Sequence, residues 1–245
     1  MHRFFLAMRF LTVWPFDSER EVTEADLVGS TVYYPPVGAI LGLVLALVWW
    51  GLKTIWTPLL AATLTVALWE LLTAGLHLDG LMDTFDGLGV RGNREKRLAV
   101  MKDSRVGAFG AQVLFFAMAV KVAAVAGMAE AQNIFYLVLA PLAGRTAMVA
   151  LMATCNYAHN NPGLGKVFAD LTGKKQLALA LLLYFLCGFA LCGPQIFLFT
   201  ACCAVFFLVW RYFVLVNFGG ITGDLLGATC QLQEITALLF ILLLF

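Results

Sequence analysis

Seven stretches of this chain are long and apolar enough, or nearly so, to cross a bilayer, and that pattern leaves few folds open. They run 30–52, 57–76, 109–129, 134–155, 176–193, 195–216 and 225–245. About 20 mostly apolar residues in a helix reach across the hydrocarbon core. Only helices and closed barrels satisfy every backbone polar group there, and these runs lack the alternation of barrel strands. The expectation is an all-α polytopic transmembrane bundle of about seven spanning helices, a single integral-membrane domain over residues 1–245. Composition agrees, since 62% of the residues are hydrophobic and 13% charged, against about 25% charged in a soluble domain. The lipid bilayer is therefore one partner. A formal net charge of +1 offers no field for a nucleic acid, and none is expected.

The segment His2 to Trp14 mixes Arg3 and Arg9 with Phe and Leu and lacks a small-residue cleavage site. It reads as an amphipathic interfacial helix, with a re-entrant or eighth spanning segment as the alternative. The cysteines lie in or beside apolar runs, where thiols behave as small hydrophobes, so neither disulfides nor zinc are expected.

With the N-terminus on one side, residues 77–108, 156–175 and 217–224 fall on that same side. It carries Arg3, Arg9, Arg20, Arg91, Arg94, Lys96, Arg97, Lys102, Arg105, Lys166, Lys174 and Lys175, whereas the opposite loops carry Lys53. The positive-inside rule makes the basic side cytoplasmic, and the implied location is the cytoplasmic (inner) membrane with the site facing the cytoplasm.

The chemistry is concentrated on that side. In His77-Leu-Asp79-Gly-Leu-Met-Asp83-Thr-Phe-Asp86-Gly87, carboxylates recur at i, i+4 and i+7, on one helix face. Like charges there repel, and a divalent cation relieves them; hard oxygen ligands favour magnesium, with manganese possible. Further on, Met101-Lys102-Asp103-Ser104-Arg105-Val106-Gly107-Ala108-Phe109-Gly110 leads into an apolar span. A helix N-terminus with glycines and flanking cations suits a phosphate. Gly163-Leu-Gly165-Lys166 and Gly219-Gly220-Ile-Thr222-Gly223-Asp224 repeat this glycine-rich chemistry on the same face, with Lys166 as a phosphate donor and Asp224 as a further ligand or ribose contact. Glu70, Lys121, Arg145, Arg211 and Glu234 fall inside spans, where such groups pair or face a cavity. Glu70 would join the aspartates if Gly75 broke its helix, and otherwise pairs with a basic group of another span. His77 by itself reads as a structural residue and His159 as an exposed loop residue.

These motifs, together with Phe10-Leu-Thr-Val-Trp-Pro15, resemble the cobamide synthases, also called adenosylcobinamide-GDP ribazoletransferases or cobalamin 5′-phosphate synthases. The resemblance spans nearly the whole chain. Met82 departs from a usually small residue, and Ala74 from a common glycine. The resemblance implies a magnesium-assisted enzyme that joins adenosylcobinamide-GDP to α-ribazole or its 5′-phosphate, releasing GMP in the final assembly of cobalamin. Asp79, Asp83, Asp86 and Asp103 are then the expected metal ligands, with Asp83 and Asp86 as catalytic residues and Asp86 the alternative base for the ribazole 5′-hydroxyl. Lys102, Ser104, Arg105, Lys166, Thr222 and Asp224 would bind substrate and phosphate. Soluble enzymes of the same pathway are possible partners, docking in part on Arg91 to Lys102. The rival readings are another CDP-alcohol-type phosphotransferase and a transporter of corrinoid precursors. Against the first stands Asp-Gly-Leu-Met-Asp-Thr-Phe-Asp-Gly in place of its own motif; against the second, the informative residues lie in loops on one face rather than at the midplane.

Overall fold

The computed structural model describes residues 2–15, 21–103, 105–130, 133–158 and 164–245. Among them the helices are α1 (His2–Leu11), α2 (Glu24–Ser30), α3 (Tyr34–Leu52), α4 (Pro58–Leu72), α5 (Leu76–Gly89), α6 (Arg94–Val100), α7 (Ala108–Gly127), α8 (Leu139–Thr154), α9 (Leu164–Leu171), α10 (Lys174–Cys192), α11 (Gln195–Phe218) and α12 (Gly223–Leu244).

Six helical segments among the described residues are long and apolar enough to span a membrane: Glu24–Leu52, Ala108–Gly127, Ile134–Thr154, Lys174–Cys192, Gln195–Phe218 and Gly223–Leu244. The chain is thus a multi-pass helical membrane protein. α8 and α12 form its centre, with 78% and 67% of their spanning windows buried, whereas α10 and α11 are only 17% and 22% buried. Leu182, Leu186, Leu208 and Val209 on those two outer helices are exposed, which is costly in water and neutral against acyl chains.

The expected span 57–76 takes a different form. α4 stops at Leu72, and α5 leaves it at 89°. The cause is local: Gly75 N–H donates to the Glu70 carbonyl at 2.9 Å and Ala74 N–H to the Leu71 carbonyl at 3.1 Å, the Schellman arrangement, with Ala74 at φ 52° and Gly75 at φ 66°. The 15 residues of α4 rise only about 22 Å. At that length α4 falls short of the hydrocarbon core, about 30 Å thick, and α5 turns away from it to pack across the amino ends of α7 and α12.

α1 has 10 residues and reaches about 15 Å, too short to cross, so the amphipathic reading holds over the spanning one. Its Ala7, Met8 and Leu11 are buried, and Arg3 Nε donates to Asp26 Oδ1 at 3.2 Å.

The buried charges neutralise one another. Lys121 Nζ donates to Glu70 Oε1 at 2.7 Å, to Glu234 Oε2 at 2.7 Å and to Gln231 Oε1 at 2.9 Å, and Arg145 Nη1 donates to Glu234 Oε1. Two cations thus face two carboxylates at the centre of the bundle, the arrangement that makes buried charge tolerable. The helix does break at Gly75, yet Glu70 does not join the aspartates. Lys121 and Gln231 hold it, with Gln231 Nε2 donating to Glu70 Oε2 at 2.8 Å. Arg211 instead donates to the Thr154 hydroxyl and carbonyl.

Candidate active site

α5 and the amino end of α12 pack with almost no space between their backbones. A Cβ on Gly80 would stand 2.7 Å from the Asp224 carbonyl oxygen, and one on Gly227 would stand 3.2 Å from the Cα of His77. Glycine at these positions lets Asp224 approach the helix that carries Asp79 and Asp83. On α5 the buried residues His77, Gly80, Leu81, Thr84 and Gly87 form the packed face, which leaves the aspartates beside it. Thr222 holds the start of α12, its hydroxyl accepting from Leu225 N–H at 3.2 Å. The preceding segment is fixed by an isolated parallel bridge between Tyr157 and Ile221, with Ala158 N–H donating to the Ile221 carbonyl and Ile221 N–H to the Asn156 carbonyl, both at 2.9 Å. Arg94 Nη2 donates to the Ala158 carbonyl and Arg97 Nη1 to Asn217 Oδ1, both at 2.6 Å.

This convergence has an electrostatic signature. Burial first, and then the charges of Asp79, Asp224 and Asp86, push the Asp83 carboxyl up to about 6. Carboxylates forced together in this way favour a proton or a cation. Among the described residues no group of three or more His, Cys, Asp or Glu side chains is placed to hold a metal by itself. The donor chemistry nonetheless fits a hard divalent ion that retains waters and shares its shell with substrate phosphate.

Asp86 is placed differently from the expectation. Its Oδ2 accepts from Gly107 N–H at 2.8 Å and its Oδ1 from Gly110 N–H at 2.7 Å. Gly107 is the N-cap of α7 and has no side chain to cap with, so a carboxylate from α5 does the capping. The α7 amino end is an anion site, as its sequence suggests, but the anion seated there is Asp86. Each Asp86 oxygen thus accepts one backbone bond and keeps a lone pair, so the structure adds a capping role to the one expected of it as ligand or base.

Asp103 is also separated from the cluster. Arg105 Nη2 donates to Asp103 Oδ2 at 2.6 Å and Arg105 Nε to Oδ1 at 3.0 Å, in an exposed pair. Arg105 holds the Asp103 carboxyl down at about 2. The pair lines a cleft of about 520 Å³ with Asp86 and Gly107, so Asp103 sits near the α7 cap rather than with Asp79 and Asp83. Lys102 is exposed, and Lys166 Nζ donates to Asp170 Oδ2 at 2.7 Å on α9. Thr222, expected to touch substrate, is a buried helix cap. Ser104, His159 and Gly163 lie outside the described residues.

Two residues gain importance that their sequence context does not reveal. His77 is 1% exposed, and its Nε2 has no hydrogen-bond partner among the described residues. Tyr157 lies within electrostatic range of both Asp224 and Lys166. No motif surrounds Tyr157; the bridge to Ile221 brings it in.

Fold and site together define a polytopic helical membrane protein with an acidic, glycine-packed site, flanked by exposed cations, at one end of its bundle. The model of the cobalamin-5-phosphate synthase family matches residues 3–242. Curated relatives named adenosylcobinamide-GDP ribazoletransferase include one from Alkaliphilus metalliredigens, 37% identical over 99% of this chain and 96% of the relative. Another, from Desulforamulus reducens, is 38% identical over 97% and 95%, and one from Pseudomonas fluorescens is 36% identical over 96% and 97%. No solved structure matches the chain. The chain belongs to the cobalamin-5-phosphate synthase family.

Proposed function

We propose that this protein transfers the adenosylcobinamide phosphate of adenosylcobinamide-GDP to ribazole or its 5′-phosphate, with GMP as the leaving group. The observation that carries the mechanism is the convergence of Asp79, Asp83 and Asp224 at the α5–α12 crossing. A hydroxyl of the acceptor ribose forms a bond to the cobinamide-bearing phosphorus, the bond from that phosphorus to the bridging oxygen breaks, and GMP leaves with the electron pair. Where the acceptor is the 5′-phosphate, the 5′ oxygen is already esterified. The nucleophile is then a secondary ribose hydroxyl, not the 5′-hydroxyl.

Burial and the neighbouring aspartates push Asp83 up to about 6, so a cation beside it holds it ionised near neutral pH, and the hydroxyl proton passes to Asp86, whose oxygens each keep a lone pair beyond their backbone bonds. Asp79, Asp83 and Asp224 are the residues that would hold Mg²⁺ or Mn²⁺. Such an ion, when bound, supplies neutralisation of the charge on the phosphates as they separate. Arg105 and Lys166 pair at present with the partly exposed Asp103 and Asp170. Exposed pairs of this kind contribute little and exchange readily for a phosphate. The asymmetry of basic residues supports a site that faces the cytoplasm from the inner membrane. Arg94 and Arg97 brace internal loops, which leaves the exposed Arg91, Lys96 and Lys102 as the part of that stretch able to meet soluble partner enzymes.

The test is GMP release by the purified protein in lipid nanodiscs, with magnesium, adenosylcobinamide-GDP, and ribazole present or absent. GMP together with a complete cobamide, formed only when both substrates and the metal are present, supports the reading. Folded protein that forms no GMP from any combination would defeat it.

A further inference from the structure

A cleft of about 520 Å³ lies between the carboxyl ends of α5 and α6 and the amino end of α7. Val90, Val100, Val106 and Phe109 give it apolar walls, and Asp86, Asp103 and Arg105 its charged groups. Phe109 is partly exposed and is held edge-to-face by Phe85, with ring centroids 5.9 Å apart. Unlike the buried charges of the spans, the ion pair of this cleft is open to solvent: the side chains of Asp103 and Arg105 are 38% and 87% exposed. The pairing is two-pronged, with Arg105 Nε donating to Asp103 Oδ1 at 3.0 Å and Nη2 to Oδ2 at 2.6 Å. Arg105 N–H also donates to Oδ1 at 3.1 Å, so the backbone orients the carboxylate even when the guanidinium departs.

We infer that this cleft is the subsite for the guanine of the donor, with the Asp103 carboxylate as the group that reads its N1–H and 2-amino edge. The inference rests on the transfer reading above, in which the donor carries GDP. N1, C2 and the 2-amino nitrogen of guanine form a guanidine unit, so that edge presents the same two side-by-side N–H donors that Arg105 now places on Asp103. A guanine can therefore replace the guanidinium without moving the carboxylate. Adenine has a lone pair at N1, which the carboxylate repels. An exposed ion pair contributes little, so the exchange costs little, and it frees Arg105 for the phosphates. Phe109 offers the flat base an aromatic ring. The room is sufficient, since an apolar cavity of about 150 Å³ accepts a benzene molecule and guanine is about twice that size, whereas the cleft measures about 520 Å³. Asp86 lines the cleft and stands three residues along α5 from Asp83, about 4.5 Å of helix rise. A base seated there would keep its phosphates within reach of the acidic residues.

The experiment uses the full-length protein in lipid nanodiscs and three donors that differ only in the base of the nucleotide: adenosylcobinamide-GDP, its hypoxanthine analogue, which lacks the 2-amino group, and its xanthine analogue, which has a carbonyl there. Wild-type GMP release with ribazole first establishes the parent reaction, and its absence would defeat that reading rather than this inference. Given turnover, wild type should prefer guanine to either analogue by about tenfold or more in kcat/KM, because the carboxylate loses a donor in one case and meets an oxygen in the other. Asp103→Asn offers a carbonyl oxygen to N1–H and an amide N–H to the xanthine carbonyl. It should abolish the preference for guanine and raise kcat/KM for the xanthine donor by about tenfold, while the KM for ribazole stays within about twofold of wild type. An Asp103 that serves only structure or a metal would instead lower turnover with all three donors in equal proportion. That outcome, a guanine preference that survives the substitution, or a xanthine donor that gains nothing would overturn the assignment. If Asp103→Asn fails to fold, the wild-type order decides: equal use of the guanine and hypoxanthine donors overturns it.

Discussion

Gly80 touches the backbone of Asp224, so closely that a single methyl group at residue 80 would come within 2.7 Å of the Asp224 carbonyl oxygen. The neighbouring atoms on the α12 side are backbone, which yields less readily than a side chain. Gly80→Ala should therefore force α5 and α12 apart, cost about 1–3 kcal/mol, and reduce GMP release more than the loss of folded protein explains. Thermal melting and turnover measured on the same nanodisc preparation check this. Wild-type turnover would mean that the close crossing is not what assembles the site.

Asp83 and Asp86 are three residues apart on α5 and should behave differently when neutralised. Asp83→Asn keeps the volume and removes a charge from the crowded cluster, so the protein should fold and insert while turnover falls by about 10³-fold or more, because a charge that would hold the ion is gone. Asp86→Ala leaves Gly107 and Gly110 N–H without their acceptor. Each lost bond to a charged group costs about 1.5–3 kcal/mol, and the deficit should appear first in thermal stability. If Asp86→Ala melts like wild type but binds magnesium poorly, the capping role is wrong.

Proton and metal should compete at Asp83. Its carboxyl is raised to about 6 by burial and by the neighbouring aspartates, so without metal the group keeps its proton below that pH and releases it above. Metal binding below pH 6 must displace the proton. The magnesium concentration for half-maximal GMP release should be nearly constant above about pH 7 and increase by up to about tenfold per unit below about pH 6. A midpoint that does not move over this interval would remove Asp83 from the ligand set.

Ala74 holds a left-handed conformation, φ 52°, at the position of the Schellman turn where glycine is the usual residue. That conformation costs a residue with a Cβ about 1–2 kcal/mol, while glycine restores about 0.4–1 kcal/mol of unfolded-state freedom. Ala74→Gly should accordingly stabilise the protein slightly, by roughly 0.5–1 kcal/mol, with turnover retained. A clear drop in melting temperature would show that the alanine methyl is in a contact that outweighs the strain.

Periodicity and charge were sufficient to reveal the helical membrane fold, because in lipid the backbone has few ways to satisfy itself and long apolar runs report this directly. The acidic segment was legible for a similar reason: carboxylates at 79, 83 and 86 beside an apolar run have few structural uses. The mutual neutralisation of Glu70, Lys121, Arg145 and Glu234 could also be anticipated, though not the choice of partners. What each aspartate does was hidden. Asp83 and Asp86 look alike along the chain, and only the approach of α7 commits Asp86 to Gly107 and Gly110, while the approach of α12 crowds Asp83 with Asp224. His77 was legible as a structural residue but not as one buried without a partner, and Tyr157 was silent, since such burial and a bridge across 64 residues, from 157 to 221, are properties of packing. The sequence by itself determined that this chain lives in a membrane and carries clustered charge at one end. The tertiary structure decided which charges meet, because that depends on backbones touching at Gly80 and Gly227, and the left-handed turn at Ala74 and Gly75 is what directs α5 across the bundle to meet them.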